Sequence, residues 1–233
     1  MHTLERDFHA LSQDEQFITA VGNIKAGFFQ RDPNDPEYQS RLYYTEKLRQ
    51  YVYDPATMNT ILGDPDLKAM FFKTFGYPGQ MRFTIYPNCW LRDLPLLEIG
   101  EDAYLADGIL LGTNQVSRNQ KTLKVGPISI GARTVFDQQC MVGLNTKIGI
   151  ECVIGVRACI GLFCSIGDRV VINALSNVSH KVHIGDGVTV GYDCTIGAGS
   201  IVEDDVVIED YTKVPQNSLV SRHGISTRKA VAS

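Results

Sequence analysis

Five histidines and six cysteines are the side chains of this chain best suited to proton transfer, nucleophilic attack or metal binding. An imidazole is the natural base near neutral pH. The histidines stand at His2, His9, His180, His183 and His223, with only His180 and His183 close together in sequence. The cysteines, Cys89, Cys140, Cys152, Cys159, Cys164 and Cys194, contain no CxxC pair, so the usual mark of structural zinc is missing and no metal ligand set is assigned. The steps from Cys140 to Cys152, on to Cys164 and on to Cys194 are all multiples of six. Such spacing points to a repeat.

The elements that must position these groups follow from that period. From Ile130 to Val220 every sixth residue is large and apolar, as in Ile148, Ile154, Ile160, Ile166 and Ile172. Four residues after each comes a smaller one, among them Thr134, Cys140, Cys152, Ala158, Cys164, Ser176 and Cys194. The residue directly after the large one is often Gly or acidic, as in Gly143, Gly161, Gly167 and Glu203, which reads as a turn preference. A period of six fits neither a helix nor a simple strand alternation; it fits a short strand plus a corner, repeated around a prism. Three hexads close one coil, and strands of successive coils stack in parallel about 4.8 Å apart. The cysteines at the small position are then inward apolar fillers, free thiols that suit a reducing cytoplasm.

Ile99, Leu105 and Leu111 share the spacing, so the coil is expected to start near Leu97. The step from Leu111 to Ile130 is one position longer than three hexads, and the stretch GTNQVSRNQKTLKVGP within it is polar. A protruding loop at about 112–126 is expected, the kind of place where binding residues concentrate. Residues 1–80 differ: apolar spacings from Leu4 to Phe28, the stretch Tyr38 to Tyr53, and the segment after Asp64-Pro65 read as helices. They form a helical region that caps the open end of the prism, followed by repeats over 81–222 and a polar tail at 223–233. The expected fold is mainly β, a parallel β-helix with an N-terminal α-helical cap.

Composition excludes some functions. With 22 Lys+Arg against 26 Asp+Glu, the net charge of −4 offers no basic field for nucleic acid or an anionic membrane. Met1 to Gln13 lacks the unbroken apolar run of a signal peptide, and no window approaches the roughly 20 apolar residues of a membrane span. A cytoplasmic protein is expected.

The two linked positions of the hexad resemble the hexapeptide-repeat acyltransferase family over residues 97–220, and that resemblance implies a left-handed coil. The helical stretch LYYTEKLRQYV, an Asp-Pro and KTFG are loosely similar to the lead-in of galactoside- and maltose-type sugar acetyltransferases. That type keeps its base near the early loop, where this chain has Thr113-Asn114. Asn173-Ala-Leu-Ser-Asn-Val-Ser-His180-Lys-Val-His-Ile-Gly-Asp186 resembles the segment of sialic-acid and bacillosamine-type sugar acetyltransferases in which an Asn stands seven residues before a catalytic His. Lys181 occupies the place of their acidic orienting residue.

The resemblance implies an acyltransferase, by family frequency an acetyltransferase, using acetyl-CoA or another acyl-CoA, or an acyl carrier protein, as donor. It implies His180 as general base, with Asn173 or Asn177 among the groups that could orient it and the Ala198 N–H, one coil on, as oxyanion donor. His183 and Asn114 are the candidate substrate contacts. Gly197, Ala198, Gly199 and Arg222 are the candidates for binding the CoA, in a cleft between prisms of a homotrimer. The acceptor is expected to be a small molecule, such as a sugar or a natural-product intermediate, taking the acyl group on a hydroxyl or amine. Two other functions occur on this fold: a non-catalytic trimeric scaffold, and a γ-type carbonic anhydrase, which needs three imidazoles and is less favoured here.

Overall fold

The computed structural model describes residues 3–227. Its first part is a bundle of five helices: α1 (Thr3–Leu11), α2 (Glu15–Gly22), α3 (Pro36–Val52), α4 (Pro55–Gly63) and α5 (Pro65–Thr74). Three of them open on an Asp-Pro dipeptide. Asp35, Asp54 and Asp64 are N-caps whose carboxylates accept main-chain N–H bonds, and the following proline takes the first helical position. The Asp54-Pro55 signal starts α4, a helix that the spacing of apolar residues did not reveal. The rings of Phe8, Phe17, Tyr44, Tyr51, Phe71 and Phe75 pack 5.1–6.3 Å apart in this bundle. They form one continuous core with Leu94, Leu97 and the inward residues of the coils, so the helices do close the prism.

The repeats form three sheets of seven, six and eight strands, in which successive coil strands fall in different sheets and pair in parallel; at the end of the eight-stranded sheet Gly224–Thr227, expected as polar tail, turns back antiparallel on Ser218–Ser221. Cα partners lie three hexads apart, as in Cys159 with Asn177 and Asn177 with Thr195. Three hexads therefore make one coil, consistent with the left-handed parallel β-helix expected. Ile160, Cys164, Val178 and Cys194 are buried, and all six cysteines are free thiols. Burial pushes the Cys89 thiol up to about 11 and the Cys140 thiol up to about 12.

Three sequence expectations are corrected. The coil begins at Thr84–Ile85, which pairs in parallel with Tyr104–Leu105, and Trp90 bridges to Leu110. The step from Ile85 to its partner Leu105 is two positions longer than three hexads, so the apolar positions of this first coil fall out of phase. The glycine after each large residue does not supply the turn dihedral; a residue two places later does, such as Phe163 and Lys181, each at φ 60°. Gly161 is needed because a Cβ there would come within 2.6 Å of His180 Nδ1 in the next coil. Finally, the protruding segment is no open loop. Asn114–Val116 and Thr122–Val125 pair as an antiparallel hairpin, and Gly27–Gln30 from the helical region adds a third strand on its edge, Phe29 opposite Leu123.

Candidate functional site

The prism has three corners, and one of them carries His180. It joins the six-stranded sheet to the eight-stranded sheet and is lined, one coil after another, by Leu144, Leu162, His180 and Ala198. The hairpin leaves the coil at this same corner, between Leu110–Gly112 and Ile128–Ile130. Lys124 Nζ then lies 3.9 Å from the centroid of the Phe163 ring, so the hairpin touches the turn next to Leu162.

His180 is exposed, and its Nδ1 accepts the main-chain N–H of Leu162 at 3.0 Å. A main-chain N–H only donates, so Nδ1 carries its lone pair and the ring proton sits on Nε2. The same turn position holds Asp168, Asp186, Asp204 and Asp210, whose Oδ1 atoms accept the N–H groups of Ile150, Asp168, Asp186 and Tyr192. His180 thus does in its coil what an aspartate does elsewhere. It is oriented by Leu162, not by Asn173.

Asn173 sits at a different corner, after the strand Val171–Ile172, and its Nδ2 donates to Val190 O at 2.9 Å. Asn177 precedes the inward Val178 on the six-stranded face, and no bond joins its side chain to His180. His183 lies exposed on the eight-stranded face between Ser165 and Ile201. These three are not brought together with the His180 ring.

The Ala198 N–H is not aimed at His180 either. Ala198 O accepts the Asn217 N–H of the next coil, and no hydrogen bond joins the Ala198 N–H to the His180 side chain. Gly197 is excluded from carrying a Cβ by the main chain of Pro215 and Gln216, which explains the glycine by stacking. Gly199 donates its N–H to His180 O at 3.0 Å. Arg222 pairs with Asp205 at 2.9 Å on the surface. Arg228 and Lys229, basic residues of the expected polar tail, lie outside the described residues.

Asn114 lies on the hairpin, and its Nδ2 donates to Asp93 Oδ2 at 3.2 Å. It lines a cleft between α3 and the hairpin that encloses about 750 Å³. The buried anchor beneath is Asp93, which accepts Thr113 Oγ1 at 2.6 Å and pairs with Arg41 at 2.5 Å. The sequence reading passed over Asp93, Arg41, Phe163 and Lys124. Counting back three hexads from His180 to Leu162 was a signal for the corner; nothing in the sequence paired Arg41 with Asp93. Among the described residues no cluster of His, Cys, Asp and Glu is placed to hold a metal ion, and no helix is long and apolar enough to cross a membrane.

Comparison with known proteins agrees on the repeat. Residues 163–198 match the model of the bacterial transferase hexapeptide (six repeats) family. No curated protein matches the chain. Similar solved structures include a mutant GDP-perosamine N-acetyltransferase from Caulobacter crescentus in complex with CoA and GDP-perosamine. It is 18% identical, with 72% of this chain and 66% of that chain covered and a TM-score of 0.32. Another is a UDP-N-acetylglucosamine O-acyltransferase from Moraxella catarrhalis RH4, 15% identical, covering 64% and 68%, TM-score 0.29. A third is a hexapeptide-repeat acetyltransferase from Vibrio cholerae O1 biovar eltor complexed with acetyl coenzyme A, 15% identical, covering 87% and 93%, TM-score 0.26. The segment that carries His180 is thus built of the hexapeptide repeat of bacterial transferases, set in a parallel β-helix whose corner it shares with a protruding hairpin.

Proposed function

We propose that this protein is an acyltransferase that moves an acyl group, acetyl in the simplest case, from acyl-CoA to a hydroxyl or amine of a small molecule. We place the reaction at the His180 corner of a homotrimer in the cytoplasm, with the donor between neighbouring prisms. The observation that supports this is a coincidence on one corner: a transferase-type repeat, an exposed imidazole and a projecting hairpin.

His180 serves as the general base, and the Leu162 bond sets the condition for it. While Nδ1 accepts that N–H, the ring presents Nε2–H outward, a donor. To take a proton at Nε2, the ring must leave Leu162 and carry its own proton on Nδ1. One main-chain hydrogen bond is worth about 0.5–1.5 kcal/mol. General-base catalysis contributes about 3–5 kcal/mol, which exceeds the loss of that bond by a clear margin.

A second reading has its own observation. Because His180 fills the place of Asp168 and Asp186, capping a turn can be its whole role, and the protein is then a non-catalytic trimeric scaffold. Thermal unfolding with acetyl-CoA, longer acyl-CoAs and free CoA separates the two. A ligand at 100 times its Kd adds about 2.7 kcal/mol, a rise of roughly 5–11 °C for a chain of this size. An unchanged transition with every CoA species at millimolar concentration removes the acyl-CoA reading.

A further inference from the structure

We infer that the cleft between α3 and the hairpin is a binding site for the phosphate group of a small molecule, separate from the His180 corner. Arg31, Arg41, Arg49 and Arg92 all line it, in a chain whose net charge is −4. Glu46 is the acidic side chain among the lining residues.

The four cations are held in place mostly without being neutralised. Arg49 lies 5.5 Å from the centroid of Tyr53 and Arg92 5.0 Å from that of Trp90, and these two rings pack together at 5.6 Å. Arg31 donates to the main-chain oxygen of Gln120. Among the described residues only Arg41, of the four, has a carboxylate partner, Asp93. Rings and carbonyls fix a guanidinium while leaving its charge available.

Arg41 supplies the independent sign of a ligand. It is 5% exposed, yet its Nη1 has no hydrogen-bond partner. A buried guanidinium N–H left unanswered is destabilising, and because Arg41 lines the cleft a small shift of its side chain would let a bound oxyanion answer it. A single carboxylate is satisfied by one bidentate arginine; four arginines suit the higher charge of a phosphate ester or diphosphate. Leu42, Val116 and Leu123 complete the wall with apolar surface for an organic body, and the volume is that of a small-molecule pocket.

The cleft lies on the other side of the hairpin sheet from His180. Leu123 lines the cleft, while Lys124, its neighbour on the strand, points to Phe163. The inference therefore stands whether or not the protein transfers acyl groups.

Trp90, the sole tryptophan, lies beneath Arg92, one of the lining arginines, and so reports on the site. Inorganic phosphate, pyrophosphate and citrate are titrated into the full chain while Trp90 fluorescence is followed. Saturable change with pyrophosphate is expected, weaker at high salt and at least about tenfold weaker in Arg49→Gln. Arg31→Gln, at the surface, serves as a second variant with the same expected loss. Binding by His180→Asn should equal that of the unmodified chain. A response to citrate alone, no saturation with any phosphate, or undiminished binding by both arginine variants would overturn the assignment.

Discussion

His180 and Leu162 are joined side chain to main chain across one coil, the imidazole Nδ1 accepting the Leu162 N–H at 3.0 Å. That bond makes His180 a turn cap as well as a candidate base, and the two roles are separable by substitution.

His180→Asn keeps an acceptor oxygen at the cap and removes the imidazole, as the aspartates of neighbouring coils show is possible. Its unfolding free energy should lie within about 0.5 kcal/mol of the unmodified protein. His180→Ala loses the cap and about 1 kcal/mol. If His180 is the base, both variants lose about 10²- to 10⁴-fold in acyl-transfer turnover. Normal turnover in His180→Asn would reject catalysis by this residue.

Gly161→Ala tests the same contact from the other side. The new methyl would meet His180 Nδ1 at 2.6 Å and the His180 main-chain nitrogen at 2.8 Å. We expect a loss of about 1–3 kcal/mol in chemical denaturation, and a shifted Leu162 amide resonance as the ring is pushed away. An unmoved resonance would show that the cap does not form as described.

Asp93 ties α3 to the hairpin, accepting from Arg41, Thr113 and Asn114. It is 1% exposed, so Asp93→Ala strands a buried guanidinium and should cost about 3–5 kcal/mol in urea unfolding. The pair replacement Arg41→Met with Asp93→Leu should recover most of that loss. Failure of the pair to recover would mean that the bonds to Thr113 and Asn114 dominate.

The cysteines give a test in alkali. Burial raises Cys89 to about 11 and Cys140 to about 12 from an ordinary 9.0. Above pH 9 the unfolded chain releases these protons while the folded one retains them. Their contribution is therefore complete below pH 9 and declines as pH rises towards 12. At pH 8 a thiol reagent should reach Cys159 first, since it alone among the six is only half-buried. Rapid labelling of Cys140 in the folded protein would contradict the inward register.

The coil was legible because its information is local. Strand, corner and inward filler recur every six residues, and partners lie three hexads apart, so Ile160, Cys164 and Val178 could be placed by counting. The same count leads from His180 to Leu162, yet not to which way the ring leans, since the N–H direction belongs to the folded turn. The glycines were misread for a similar reason: what forbids a Cβ at Gly161 is an atom of the next coil. The cap and hairpin carry no period. Gly27 opposite Val125, and Arg41 on Asp93, join segments far apart in sequence whose residues are ordinary taken singly. Only the packing of the helices against the coil decides those contacts, because there the partner of each buried polar group is set by tertiary contact and not by spacing along the chain.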